Sequence, residues 1–97
     1  MQTKQDKRAV KLAREARKAE YIRARKDVPC MDCGQRFPHY CMDYHHRDEE
    51  TKDERLKTSR VGMVERMKTW KHERIDAEID KCDILCACCH RKRHFEP

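Results

Sequence analysis

The nine residues Cys86 to His94, CACCHRKRH, constrain this chain more than any other stretch. Cys86 and Cys89 are separated by two residues, the gap that lets two thiolates reach one tetrahedral zinc ion. His90 and His94 are four apart, so on a helix both project from one face. The stretch can therefore serve two metals, one on sulfur and one on nitrogen. A second pair with the same gap, Cys30 and Cys33, lies about fifty residues earlier. Gly34 follows it and can supply the left-handed backbone that such a turn needs. Two sulfurs from each pair complete one structural zinc site.

The chain has good reason to use such a staple. Of its 97 residues, 43% are charged and only 37% are hydrophobic. A domain this short and polar buries little apolar surface. An odd number of cysteines, seven, clustered with histidines, points to metal rather than disulfides. That usage predicts a reducing, cytoplasmic setting. The N-terminal residues form no apolar signal region and no run reaches membrane-spanning length, so no membrane partner is expected. Cys41, Cys82 and Cys88 are left over, and read as ordinary thiols.

The basic charge is concentrated. Residues 1–26 carry ten Lys/Arg against three acids, whereas the rest of the chain carries fourteen against fifteen. The same stretch lacks Gly and Pro and is rich in Ala, Lys, Arg and Glu, which predicts a helix. Its apolar stripe is thin and mostly alanine, so residues 1–27 read as an electrostatic arm outside the core, with 28–97 as the zinc-containing domain. A localised basic block suits DNA or another polyanion, with Arg14 and Arg17 among its contacts.

Beyond Pro29 the pattern is mixed. Residues 40–44 alternate like a strand, with Asp43, His45 and His46 at its end. Adjacent histidines on extended backbone point to opposite sides, so one can bind metal while the other faces substrate. Residues 48–58 are charged without periodicity and read as loop. Residues 59–68 read as a helix capped by Ser59, with Val61, Val64 and Met67 or Met63 inward. A second helix runs from Trp70 to Cys82 behind Thr69, with Trp70 as aromatic anchor. A short strand, 83–85, leads into Cys86, and a helix from about Cys88 to Phe95 closes the chain. The class is α+β.

The segments MDYHHRD and EIDKCDILCACCHRKRH, with CMDCG upstream, resemble the HNH endonucleases, from about Val28 to His94. The resemblance implies a small zinc-stapled ββα-metal domain with added helices and a basic N-terminal helix. It implies a metal-dependent DNA endonuclease or nickase, with zinc on Cys30, Cys33, Cys86 and Cys89. It places one divalent ion, Mg²⁺, Mn²⁺, Ni²⁺ or Zn²⁺, on His45 and His90, with His94 completing the set. It makes His46 the general base, a role that a neutral imidazole can fill near neutral pH. Arg47, Arg91 or Arg93 is then placed to clamp a phosphate oxygen.

The chain departs from that family in two places. Lys81, Cys82 and Asp83 occupy the region of the middle Asn, where Asp83 is the candidate for the equivalent backbone-tying hydrogen bond. His45 stands where many relatives have Asp, and Asp43 points to the same side and can support the site. An all-nitrogen ligand set favours softer transition ions over Mg²⁺. Two other readings account for fewer residues: a non-catalytic zinc module that binds DNA or RNA, and a zinc ribbon whose arm is a partner helix.

Overall fold

Thr3 sets the start of the longest element. In the computed structural model, which describes residues 3–96, the Thr3 hydroxyl accepts the Asp6 N–H and the Asp6 carboxylate accepts the Thr3 N–H. This reciprocal cap opens helix α1, Lys4–Ala24. Residues 3–14 are exposed throughout, and then one face sinks into the body. Ala19 and Ile22 are buried on it, with Glu15, Lys18, Arg25 and Lys26 half-buried around them.

The second half of α1 is therefore core, which corrects the reading of 1–27 as a purely electrostatic arm. Ile22 is fully buried among Leu56, Met67, Trp70, Ile75 and Ile79. Such burial contributes about 1.5–3 kcal/mol for one side chain. Polar ties reinforce it. The Lys18 ammonium donates to the Trp70 carbonyl at 2.6 Å, and Arg25 pairs with Asp76 at 2.9 Å. The Tyr21 hydroxyl donates to the same Asp76 carboxylate.

Strands β1, Met42–His46, and β2, Cys82–Cys86, form an antiparallel pair in which Met42 faces Cys86 and His46 faces Cys82. Strand β1 starts two residues later than the alternation suggests, because His39–Cys41 form a 3-10 turn behind Pro38. Alternation puts Met42, Tyr44 and His46 on one face and Asp43 and His45 on the other. The Tyr44 hydroxyl donates to the Ile22 carbonyl at 2.6 Å, which docks the first face on α1.

Three short helices fill the connection between the strands: α2, Glu54–Lys57, α3, Met63–Met67, and α4, His72–Ile79. The segment expected as loop thus contains α2, capped by Asp53, with its one apolar residue, Leu56, buried. Helix α3 begins behind Gly62 rather than at Ser59. The Ser59 hydroxyl takes the Val61 N–H in a turn instead, and Val61 is exposed. Helix α4 is shorter than 70–82. Trp70 is a core anchor ahead of it, and Cys82 belongs to β2.

Helix α5, Ala87–Phe95, follows β2 directly and packs on both strands. A second small core lies there, made of Cys30, Met42, Leu85 and Cys86, with Phe37, Ile84 and Cys89 against it. The architecture is α+β: five helices and a two-stranded sheet among the described residues. No helix among them is long and apolar enough to cross a membrane.

Candidate metal centres

The four paired cysteines converge. Their sulfurs all lie within 4.8 Å of one another. Zinc–sulfur bonds of about 2.3 Å set tetrahedral sulfurs about 3.8 Å apart, so the set fits one ion. Gly34 takes φ 74°, the left-handed backbone expected after Cys33, and its N–H donates to the Cys30 carbonyl at 2.8 Å. Cys86 caps α5, its sulfur accepting the Cys89 N–H at 3.4 Å. The Cys86 N–H donates to the Cys30 sulfur at 3.3 Å.

These amides matter electrostatically. Burial opposes charge on Cys30, yet the N–H groups of Cys33, Cys86 and Asp32 hold its thiol down to about 6. The neighbouring Cys86 sulfur, and then burial, push the Cys89 thiol up. Metal ligation draws on the thiolate form, so amides that favour charge on Cys30 favour a bound dication there. Cys30, Cys33, Cys86 and Cys89 are therefore positioned to hold a metal ion, and four thiolates suit zinc. All seven cysteines are free thiols, and Cys41, Cys82 and Cys88 stand outside this set.

The second constellation is built on the other chemistry of the same stretch. His45 projects from β1 toward α5, where His90 and His94 sit one turn apart. Ring centroids are separated by 5.0 Å for His45–His90, 5.6 Å for His45–His94 and 5.0 Å for His90–His94. One ring nitrogen from each lies within 4.8 Å of the other two. His90 Nδ1 donates to the Asp43 carboxylate at 3.0 Å, which turns the lone pair of its Nε2 toward His94 Nε2, 3.3 Å away. Metal–nitrogen bonds of about 2.0 Å put tetrahedral nitrogens about 3.3 Å apart. The carboxylate fixes both the tautomer and the ring direction, as supporting groups around metal sites do. Burial, and then the neighbouring His90, Arg93 and His94, pull the His45 pKa down and favour its neutral form.

His46 is elsewhere. It lies on the opposite face of β1, 4% exposed, with its Nε2 2.7 Å from the Glu78 carboxylate. Glu78 is equally buried and also accepts the Asp53 N–H at 3.1 Å and the Lys81 ammonium at 2.8 Å. Burial works against charge on Glu78, but Lys81, the Asp53 amide and His46 together hold its carboxyl below the ordinary range. The expectation that His46 faces substrate is corrected accordingly: the strand alternation that aims His45 at α5 aims His46 at α4. Glu78 is the residue that sequence reading missed. A carboxylate at the i+3 position of the apolar stripe Ile75, Glu78, Ile79 was the signal that a buried partner existed.

Two of the arginines expected at phosphate are committed to the scaffold. Arg93 forks onto Asp32 at 2.8 and 2.6 Å and reaches Asp83 at 2.8 Å, tying α5 to the first cysteine turn and to β2. Arg47 donates to the Cys82 carbonyl at 3.0 Å, to Asp83 at 3.3 Å and to the Asp80 carbonyl. Asp83 thus takes side-chain donors rather than tying the backbone. Arg91 is exposed on α5, and Arg14 and Arg17 are exposed on α1. A groove of about 550 Å³ opens beside Asp43 and His90 and is bordered by Arg23, Lys26, His39 and Tyr40.

No family model, curated protein or solved structure matches the chain.

Proposed function

We propose that this chain is a metal-dependent phosphodiester hydrolase of the HNH type, acting on DNA, with a structural zinc on Cys30, Cys33, Cys86 and Cys89. The observation that carries the reading is the His90 Nδ1–Asp43 hydrogen bond, which aims an imidazole lone pair into a cluster shared with His45 and His94. A structural zinc explains the cysteines but gives these three histidines and their carboxylate no work.

The division of labour follows from the residues. His45, His90 and His94 hold one divalent ion, and three protein ligands leave the remaining positions for substrate and water. The ion supplies Lewis acidity toward a phosphoryl oxygen and lowers the pKa of a water. Asp43 keeps His90 in the ligating tautomer. Arg23, Lys26 and His39 line the adjoining groove, where they attract and orient a phosphate strand. Exposed Arg91 is the free guanidinium on α5 for a phosphate oxygen. His46, paired with Glu78, anchors the end of the strand that carries His45, a positioning role rather than proton transfer. All-nitrogen ligation favours Zn²⁺ or Ni²⁺ over Mg²⁺ and Mn²⁺.

Supercoiled plasmid incubated with the zinc-loaded protein and each of these ions is expected to be nicked, and His90→Ala is expected to abolish nicking with zinc content intact. Equal cutting by wild type and His90→Ala would remove the histidine cluster from the chemistry. The second reading, a zinc module that binds nucleic acid without cutting it, draws on the burial of His46 and predicts one metal per chain, not two.

A further inference from the structure

The face of α1 that buries Ala19 and Ile22 continues toward the N-terminus as Lys11, Arg14 and Lys18, where the helix leaves the body. There it meets not an acidic surface but Lys68 and Thr69, across a groove of about 290 Å³. Thr69 also borders a second groove, of about 390 Å³, lined by Arg55, Arg66, Lys71 and Arg74 around the edge of Trp70. The two grooves thus adjoin at one residue, with cations on both banks and Glu15 as the single acid lining either.

Several of these cations are already held in place. Lys18 is fixed on the Trp70 carbonyl, Lys68 on Glu65 at 2.7 Å and Arg74 on Asp53 at 2.9 Å. Lys11, Arg14, Arg55 and Lys71 have no carboxylate within 4.0 Å among the described residues. Like charges facing each other across a gap repel, and the repulsion is relieved when an anion enters between them. A track of this kind fits a polyanion with regularly spaced charges better than it fits a peptide. An acidic peptide draws its affinity from apolar anchors, and the first groove, lined by Lys11, Arg14, Glu15, Lys18, Lys68 and Thr69, offers none.

We propose that these two adjoining grooves are a docking track for the sugar-phosphate backbone of nucleic acid, separate from the histidine cluster. That the polyanion is nucleic acid rests on the hydrolase reading above; the existence of a polyanion track does not.

The test is fluorescence anisotropy of the full, zinc-loaded chain with a short labelled DNA duplex and no other divalent ion. Two double variants, Lys11→Glu with Arg14→Glu and Arg55→Glu with Lys71→Glu, probe the two grooves. A control, Arg36→Glu with Lys57→Glu, makes the same charge change outside them. Each track variant is expected to weaken binding about tenfold or more and to flatten the salt dependence by about two phosphate contacts, with the control losing far less. Far-UV circular dichroism and zinc content confirm that each variant folds. Equal losses in track and control variants, or displacement of the duplex by poly-L-glutamate at equal charge concentration, would overturn the proposal. Hydrolysis of bis(p-nitrophenyl) phosphate separates the two readings. This small diester needs no track, so the track variants should hydrolyse it at the wild-type rate. A wild type that leaves it intact counts against the hydrolase and leaves the binding result standing.

Discussion

The Asp43 carboxylate accepts the Nδ1–H of His90 at 3.0 Å, across the gap between β1 and α5. That one bond links the strand and the helix that share the histidine cluster, and it decides which nitrogen of His90 is free. Asp43 lies two residues before His45 on the same strand face, so a single stretch of β1 supplies both one histidine of the cluster and the group that orients another.

Replacing Asp43 by Asn should therefore weaken the histidine site without touching the cysteine site. The amide can still accept from Nδ1–H, but it no longer adds negative charge to the imidazole. Loss of such a supporting partner lowers metal affinity by about 10–100-fold. Cobalt titration of the zinc-loaded protein, followed in the visible spectrum, reads this directly. Unchanged affinity would show that the Asp43–His90 bond does not support a metal.

The cysteine cluster and the pairing of His90 with His94 were legible in the sequence because residue spacing is a local property. CxxC dictates a turn, and i, i+4 histidines dictate a shared helix face, whatever surrounds them. The alternation of β1 was legible for the same reason, as was the isolation of His45 from His46. What escaped was tertiary. Ile22 belongs to a stretch whose apolar stripe is thin and mostly alanine, and only Leu56, Met67 and Trp70, from distant segments, make it core. The roles of Arg47 and Arg93 depended on Asp32 and Asp83 reaching them, which no spacing rule reports.

Acid should expose the His46–Glu78 pair. The Glu78 carboxyl is held below its ordinary range in the folded chain, so the unfolded chain binds that proton first as pH falls. Its contribution is fully present above the ordinary glutamate range and is lost as pH drops through the lower folded value. Glu78→Gln should cost about 1–3 kcal/mol near neutrality, because a buried imidazole and amide lose a charged acceptor. It should also flatten the acid limb of the stability curve. Thermal melts across that pH range check both, and an unchanged acid limb in the variant would show that Glu78 does not set it.

The same pair makes a kinetic prediction. If His46 anchors the strand rather than moving a proton, His46→Gln should retain most diester hydrolysis, with the pH–rate profile keeping its shape, while His46→Ala lowers the melting temperature. A buried imidazole acting as base would instead leave a profile whose rising limb disappears in the Gln variant. Measured profiles for wild type and His46→Gln on bis(p-nitrophenyl) phosphate decide between the two.

Removing zinc should dismantle the smaller core first, since Cys30 and Cys86 are both members of it and positioned to hold the ion. Structural zinc sites supply folding free energy directly. A strong chelator is expected to abolish the cooperative melt, and added zinc to restore it. A melt that is indifferent to chelator would show that the apolar residues alone hold β1, β2 and α5 together.

Helix α1 has two halves with different jobs, and truncation should separate them. Deleting residues 1–12 removes, among the described residues, only exposed positions and should leave the melting temperature nearly unchanged while weakening nucleic-acid binding. Ile22→Ala leaves the charge untouched but opens a cavity where Leu56, Met67 and Ile75 meet, at a cost of about 2–5 kcal/mol. Native stability is usually of the order of 5–15 kcal/mol, so that loss alone brings a small domain near unfolding. Deleting 1–26 should accordingly unfold the chain rather than yield a well-folded domain without its arm. A cooperative melt from residues 27–97 at the full-length temperature would show that Ile22 contributes nothing, and that the helix is an arm along its whole length.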